Sequence, residues 1–383
     1  MRQVQGWITV AVLCCTAAVA AGEEKPEARL QEAQKAYDEA KVLDETARYA
    51  EAVAQGEQAL ALREAALGGT HPEVAQCLDL LGKLQRVLGD FGKAESLIQR
   101  GLSIREAALG KHHPDVAASL HNLGNLYIVQ GLYDRAMPLV ERSLAIRETA
   151  LGKNHPDLSG SLNSLATIYK AQGLYEKAQP LYQRALAIRE ASAGKNHPDV
   201  AKVLNNIAMI YKEQGLYEKA EPLYQRALAI REAALGPHHP EVAASLNNLA
   251  ILYFVQGRYD RAEPLYQRTI AIEQAALGKD HPDLAGSLTN LGNLYYAQGL
   301  YDRAEPLYQR ALAIMETALG PQHPELAQAL HNLGNLYYSQ RRYEKAEPLY
   351  QRARTIFETA VGKTHPLVAS SLNTLAELYT EQG

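Results

Sequence analysis

Apolar and polar residues recur along this chain in a regular pattern. Between His197 and Gly236, apolar residues recur at three- and four-residue intervals, the spacing of one face of a helix. The first run comprises Val200, Leu204, Ile207, Ala208 and Tyr211, and the second comprises Tyr217, Ala220, Tyr224, Ala227, Leu228 and Leu235. Gly215 and Gly236 follow the two runs, and glycine readily adopts the positive φ that ends many helices. The pattern predicts two helices joined by a short turn.

The same pattern recurs through most of the chain at a fixed interval of 42 residues. Each unit opens with a His-Pro dipeptide, at His71, His113, His155, His197, His239, His281, His323 and His365. Proline suits the first helical position, and the residue before it is biased away from the helical region, so each histidine is predicted to be an N-cap. A fixed period of this length indicates a repeat architecture, in which stacked neighbours bury what one helix pair cannot.

The first 22 residues differ from the repeats. Arg2 is followed by an apolar run from Trp7 to Val19, which is too short to span a membrane and ends in small residues. We interpret residues 1–22 as a secretory signal peptide, with Cys14 and Cys15 leaving a lipoprotein signal as the alternative. The chain is therefore expected to be exported, periplasmic or secreted, with no membrane insertion after cleavage.

The rest of the chain divides by its register. Residues 23–70 form a degenerate first pair without the His-Pro opening, with its first helix expected from about 30 to 43, as is usual for a capping repeat. Residues 71–362 form seven 42-residue units, in one of which Arg341 replaces the glycine of the turn. Residues 363–383 form the first helix of an incomplete ninth unit. That helix either closes the stack or continues into a longer protein.

The repeated motif LNNLA-x-LY-x-x-QG-x-Y-x-x-AEPLYQRAL-x-I carries a family resemblance. Small residues at position 208, an aromatic at 211, and Tyr217, Ala220 and Ala227 resemble the tetratricopeptide repeat (TPR). The 42-residue length and the His-Pro opening are similar to the repeats of kinesin light chains. The resemblance implies an all-α fold, a right-handed superhelical solenoid of stacked antiparallel helix pairs. It also implies a non-enzymatic scaffold for protein–protein interaction, and in kinesin light chains the recognition of short, often acidic peptides.

Composition and motifs point away from other functions. The formal charge is −4 with both signs interleaved, so there is no basic footprint for nucleic acid. No GxSxG, HExxH, CxxC or GxGxxG signature occurs. The His-Pro histidines of neighbouring units are separated by at least one helix spacing, whereas zinc ligands lie at about 2 Å from the metal. We therefore expect no enzymatic activity, no metal and no cofactor.

The candidate binding surface lies on the first helices, opposite their core stripe. If positions 204, 207, 208 and 211 point inward, positions 202, 205, 206, 209, 212 and 213 point away, and the resemblance implies that this face lines a concave groove. An asparagine amide both donates and accepts, so a row of them can pair with the backbone of an extended peptide. The predicted groove residues are His121, Asn163, Asn205, Asn247 and His331 in the row of position 205, Asn122, Asn206, Asn248, Asn290 and Asn332 in the row of position 206, Asn125, Asn293 and Asn335 in the row of position 209, and Lys170, Lys202, Lys212, Phe254, Tyr296 and Tyr338 beside them.

Three functional hypotheses follow. The first is a scaffold that binds an extended segment of a partner protein in this groove. The others are a self-assembling structural scaffold and the regulatory front of a longer enzyme or effector. The asparagine rows have an alternative explanation as well, because recently duplicated units would share them without any role in binding.

Overall fold

The computed structural model describes residues 26–45, 48–362 and 366–382. The predicted signal peptide, residues 1–22, lies outside the described residues, and so does His365, the predicted N-cap of the last unit. The predicted four-segment division of the chain stays a prediction.

Seventeen α-helices and no strand occur in these described ranges. They are α1 (Pro26–Glu45), α2 (Tyr49–Leu67), α3 (Pro72–Val87), α4 (Phe91–Leu109), α5 (Pro114–Val129), α6 (Tyr133–Leu151), α7 (Leu158–Ala171), α8 (Tyr175–Ala193), α9 (Pro198–Glu213), α10 (Tyr217–Leu235), α11 (Pro240–Val255), α12 (Tyr259–Leu277), α13 (Pro282–Ala297), α14 (Tyr301–Leu319), α15 (Pro324–Ser339), α16 (Tyr343–Val361) and α17 (Pro366–Gln382). The predicted all-α class is confirmed. Helix α1 is longer at both ends than the predicted range of 30 to 43.

The His-Pro histidines cap the first helices, as predicted. The Nδ1 atom of His197 accepts a hydrogen bond from the backbone N–H of Asp199 at 3.2 Å, and Pro198 occupies the first helical position. The same cap begins the first helices at His71, His113, His239, His281 and His323. His155 makes the same contact with Asp157, but α7 begins at Leu158. The recurring histidine therefore marks the start of the first helices, and of these helices α7 alone begins later than the residue after its histidine.

Residues with positive φ end the helices. Gly215 and Gly236 have φ values of 75° and 85° and follow α9 and α10. Arg341 stands in the place of Gly215 in its repeat and adopts a φ of 59°, the one positive value among the described residues other than glycine. The left-handed conformation costs an L-residue about 1–2 kcal/mol. Arg341 therefore adopts the backbone conformation of the turn despite this local strain.

The described residues divide into two compact units, with the boundary between Ile188 and Arg189. Within each unit, a first helix packs on the second helix of its own pair, and that second helix packs on the next first helix. Successive first helices also touch. Each pair is thus covered by its neighbours in the sequence, which is the packing predicted for a repeat protein.

The two helices of a pair approach most closely at the small residue of the first helix. Ala208 and Ala250 are fully buried there. A Cβ atom on Gly292 would lie 2.7 Å from Cε1 of Tyr308, and one on Gly334 would lie 2.5 Å from Cε1 of Tyr350. The ring of the second helix therefore rests directly on the backbone of the first helix.

We expect Gly292→Ala to destabilise its repeat by about 1–3 kcal/mol, because the added methyl overlaps the buried Tyr308 ring. The matched control is Gly286→Ala in the same helix, where a Cβ would meet no atom within 4 Å. That change should stabilise α13 by roughly 0.5–1 kcal/mol, since alanine loses less backbone entropy than glycine. Amide hydrogen exchange across α13 and α14 would measure both effects. Equal protection in the two variants would contradict the close approach.

Candidate functional site: the ladder face of the first helices

The predicted groove residues occupy one face of the first helices, which we call the ladder face. Lys202 and Asn335 are exposed, and most of the others are half-buried. Asn205 differs from the prediction, because it is buried with 6% of its surface exposed, and its Nδ2 donates to Ser245 Oγ at 3.5 Å. Position 205 turns toward the next first helix rather than away from the core.

Side chains of the rows at 205 and 206 connect consecutive first helices. Asn290 Nδ2 donates to Asn247 Oδ1 at 3.0 Å. His331 Nε2 lies 3.1 Å from Ser371 Oγ, and its ring packs 5.2 Å from that of Tyr350. Burial lowers the pKa of His331, so its imidazole is neutral near pH 7. Part of the ladder's hydrogen bonding is therefore used between repeats.

The asparagines of row 209 serve the core. Tyr308 and Tyr350 donate from their hydroxyls to the Oδ1 atoms of Asn293 and Asn335, both at 2.7 Å. Burial raises the pKa of both tyrosines, which keeps the hydroxyls protonated as donors. In the compact unit before Arg189, Asn125 instead accepts a hydrogen bond from Ser164 Oγ at 2.7 Å. These asparagines satisfy internal groups, a role that the sequence analysis did not assign.

Each of the three predicted aromatics packs at a tilt against the ring of the first residue of the following helix. Phe254 lies 5.8 Å from Tyr259, Tyr296 lies 5.7 Å from Tyr301, and Tyr338 lies 5.6 Å from Tyr343, measured between ring centroids. Each is half-buried and keeps part of its ring on the surface. The row is therefore a set of fixed rings, and fixed rings lose little conformational entropy when they bind a partner.

Sequence reasoning missed a column of arginines, defined by Arg63, Arg105, Arg147, Arg189 and Arg231. Nη1 of Arg231 donates to the backbone oxygen of Glu241 at 3.0 Å and to Ser245 Oγ at 2.7 Å. Arg147 bonds Asp157 O at 3.0 Å and Ser161 Oγ at 2.8 Å in the same way. This column ties the ends of α2, α4, α6 and α10 to the start of the first helix that follows each of them. Its signal was the arginine every 42 residues.

Among the residues that the structure describes, no group of three or more His, Cys, Asp or Glu side chains could hold a metal ion. None of the described helices is long and apolar enough to cross a membrane.

Comparisons with known proteins agree with this geometry. The family model described as Tetratricopeptide repeat matches eight overlapping segments, residues 31–107, 84–149, 115–191, 157–233, 199–272, 241–317, 283–359 and 325–383. No curated protein matches the sequence significantly.

Several solved structures are similar to this chain. BtubC from P. vanneervenii is 29% identical, with 62% of this chain and 92% of that one covered and a TM-score of 0.49. A protein from Podosopora anserina named as a kinesin light chain with nearly identical TPR-like repeats is 29% identical, with 54% and 97% covered and a TM-score of 0.46. A signal transduction ATPase with a tetratricopeptide repeat sensor, from Pyrococcus horikoshii, is 16% identical, with 89% and 50% covered and a TM-score of 0.61. The last similarity concerns the fold alone. With helix pairs in a 42-residue register and a family model that matches nearly all of them, this chain belongs to the tetratricopeptide repeat family.

Proposed function

We propose that this protein is a non-catalytic scaffold that holds an extended segment of a partner protein on its ladder face. Tetratricopeptide repeats are typical of protein–protein interaction scaffolds. The observation that carries the proposal is the recurrence of Asn206, Asn248 and Asn290, one per repeat and each half-buried on the same face of α9, α11 and α13.

The spacing of these asparagines suits an extended peptide. Packed helices lie about 8–10 Å apart, and successive first helices touch each other. The asparagines of successive repeats therefore stand roughly 10 Å apart. An extended chain advances about 3.3 Å per residue. One amide therefore meets about every third residue of the bound segment, where it can satisfy a backbone N–H or C=O that would otherwise lose its water partner.

The flanking residues give this surface a direction in the second unit. Lys202 and Lys212 lie on α9, and Phe254, Tyr296 and Tyr338 lie on the later first helices. A segment with acidic residues at one end and large apolar residues at the other would match both. Aromatic rings are enriched among the residues that contribute most to binding energy.

Replacing Asn206, Asn248 and Asn290 together by alanine should weaken peptide binding by at least about tenfold, because each lost hydrogen bond costs about 1–3 kcal/mol. Folding should be preserved, since alanine is the better helix former. Peptides selected by display on the wild-type chain would be titrated against both proteins by fluorescence anisotropy.

The matched control removes three side chains from the second helices at the same spacing. Glu218, Asp260 and Asp302 are exposed near the start of α10, α12 and α14, and their replacement by alanine should leave peptide affinity unchanged. If the asparagine variant binds as the wild type does while its circular dichroism is intact, the asparagine rows are relics of duplication and the proposal fails.

We further propose that the protein is exported. The support is the arrangement of residues 1–22, with Arg2, the apolar run and the small residues at 18–20. The mature protein should begin near Ala21 or Glu23 when the full gene is expressed in its natural host. N-terminal sequencing of the purified protein would check this, and recovery of an intact Met1 on most molecules would contradict export.

A further inference from the structure

The arginine column ends after Arg231, because Glu273, Met315 and Phe357 occupy the next three positions of its 42-residue period. In the regular form, Arg231 donates to the backbone oxygen of Glu241 and to Ser245. One repeat later the partners persist as Asp283 and Ser287, but the donor is replaced by Glu273. A group with five N–H donors is thus exchanged for one that accepts, so a positive charge gives way to a negative one.

One carboxylate oxygen of Glu273 has no hydrogen-bond donor within the described part of the chain. It is half-buried, and its Oε2 atom is shielded from solvent with no hydrogen-bond partner among the described residues. Burial raises the pKa of Glu273, a hydrogen bond with Ser287 lowers it, and the charge of Asp283 raises it again. A shielded carboxylate oxygen that lacks a partner is costly, and either a proton or a bound cation relieves this cost.

A cleft opens beside this carboxylate. Its volume is about 500 Å³, and it is lined by residues of five helices, among them Glu273, Asp283, Gly286, Ser287 and Met315. Gly286 contributes to the space, because a Cβ atom there would meet nothing within 4 Å. The acceptors of the arginine column are therefore present in a cavity that no arginine among the described residues lines.

The cleft opens onto the ladder face. Asn247, Asn248 and Asn290 also line it, and these belong to the rows at 205 and 206. A side chain that projects from a peptide on the ladder face can therefore enter the cleft. The terminal torsion of a glutamate is broad and twofold, so a half-turn presents either oxygen to an incoming group.

We propose that this cleft is a subsite for an arginine side chain of the bound partner, whose guanidinium takes the place of the arginine missing at position 273. It would pair with the Glu273 carboxylate and donate to the Asp283 carbonyl and the Ser287 hydroxyl. The inference rests on the proposed function, since the ladder face delivers the side chain.

The geometry favours arginine over lysine. In the regular repeats, one planar guanidinium bonds a carbonyl and a hydroxyl together, and its fork can also pair with a carboxylate. A lysine ammonium is a compact charge whose three donors radiate from one atom. The exposed carboxylates of Asp283 and Glu325 at the same cleft add attraction for any cation and disfavour acidic side chains.

The test uses Nα-acetyl-argininamide as the probe and a methionine methyl group as the reporter. Met315 lines the cleft, whereas Met137 and Met209 do not. In the full chain labelled with ¹³C on its methionine methyls, the probe should shift the Met315 signal saturably and leave the signals of Met137 and Met209 unmoved. The neutral isostere Nα-acetyl-citrullinamide should bind at least about tenfold more weakly, because hydrogen bonds to a charged group are the stronger ones.

Two variants of the carboxylate sharpen the result. Glu273→Gln keeps the shape and should weaken the Met315 response at least about tenfold. Glu273→Arg restores the column, should fill the cleft from within and should abolish the response while the protein stays folded. Asp260→Asn removes an exposed charge away from the cleft and should change nothing.

The outcomes separate the two proposals. An unmoved Met315 signal, or one that responds equally to citrulline or in Glu273→Gln, overturns the arginine subsite even if peptides bind the ladder face. A response that follows these expectations supports the subsite, also in the case that no peptide depends on Asn206, Asn248 and Asn290. In that case the proposed function alone would fail.

Discussion

The structure depends on one contact, in which a large apolar side chain of the second helix lies against a small residue of the first. Where that residue is Gly292 or Gly334, the ring of Tyr308 or Tyr350 is so close that a Cβ atom would overlap it. The same closeness lets each tyrosine hydroxyl reach the asparagine that follows the glycine. In other repeats the small residue is Ala208 or Ala250, and methionine or isoleucine follows it. In the repeats of Gly292 and Gly334, the glycine lets the ring approach, and the asparagine after it accepts from the hydroxyl of that ring.

A second set of contacts joins one pair to the next, and it accounts for the constant interval of 42 residues between repeats. The histidine cap, the arginine column and the carbonyl it binds all depend on a loop of fixed length between Gly236 and Pro240 and its counterparts. Arg226 makes a similar link, donating to the backbone oxygen of Lys195 at 3.0 Å and to Glu190 at 2.7 Å. These polar contacts lie at the edges of an apolar interface. Because neighbours supply them, a change in one repeat, such as Glu273, leaves the fold intact and gives that repeat its own surface.

Most of the fold could be predicted from the sequence, because its signals are local and repeated. Helix starts follow from His-Pro, helix ends from glycine, and the core stripe from the spacing of apolar residues. The site was harder, because its chemistry depends on side chains that meet across repeats. The sequence predicts surface amides at Asn205 and Asn293. In the structure, Asn205 donates to Ser245, and Asn293 accepts from the Tyr308 hydroxyl. The arginine column was visible as a period, but arginine is so often a surface residue that its burial needed the structure.

The central claim is that the ladder face, rather than the second helices, is where a partner protein binds. In the most direct test, a photo-crosslinking residue is placed at position 248 on α11 in one protein and at position 260 on α12 in another. Each protein is then irradiated in extract from its natural host. Both positions belong to one repeat, and residue 260 is exposed. We expect a discrete crosslinked partner from position 248 and none from position 260. Crosslinking from position 260 alone would contradict it and would assign recognition to the second helices.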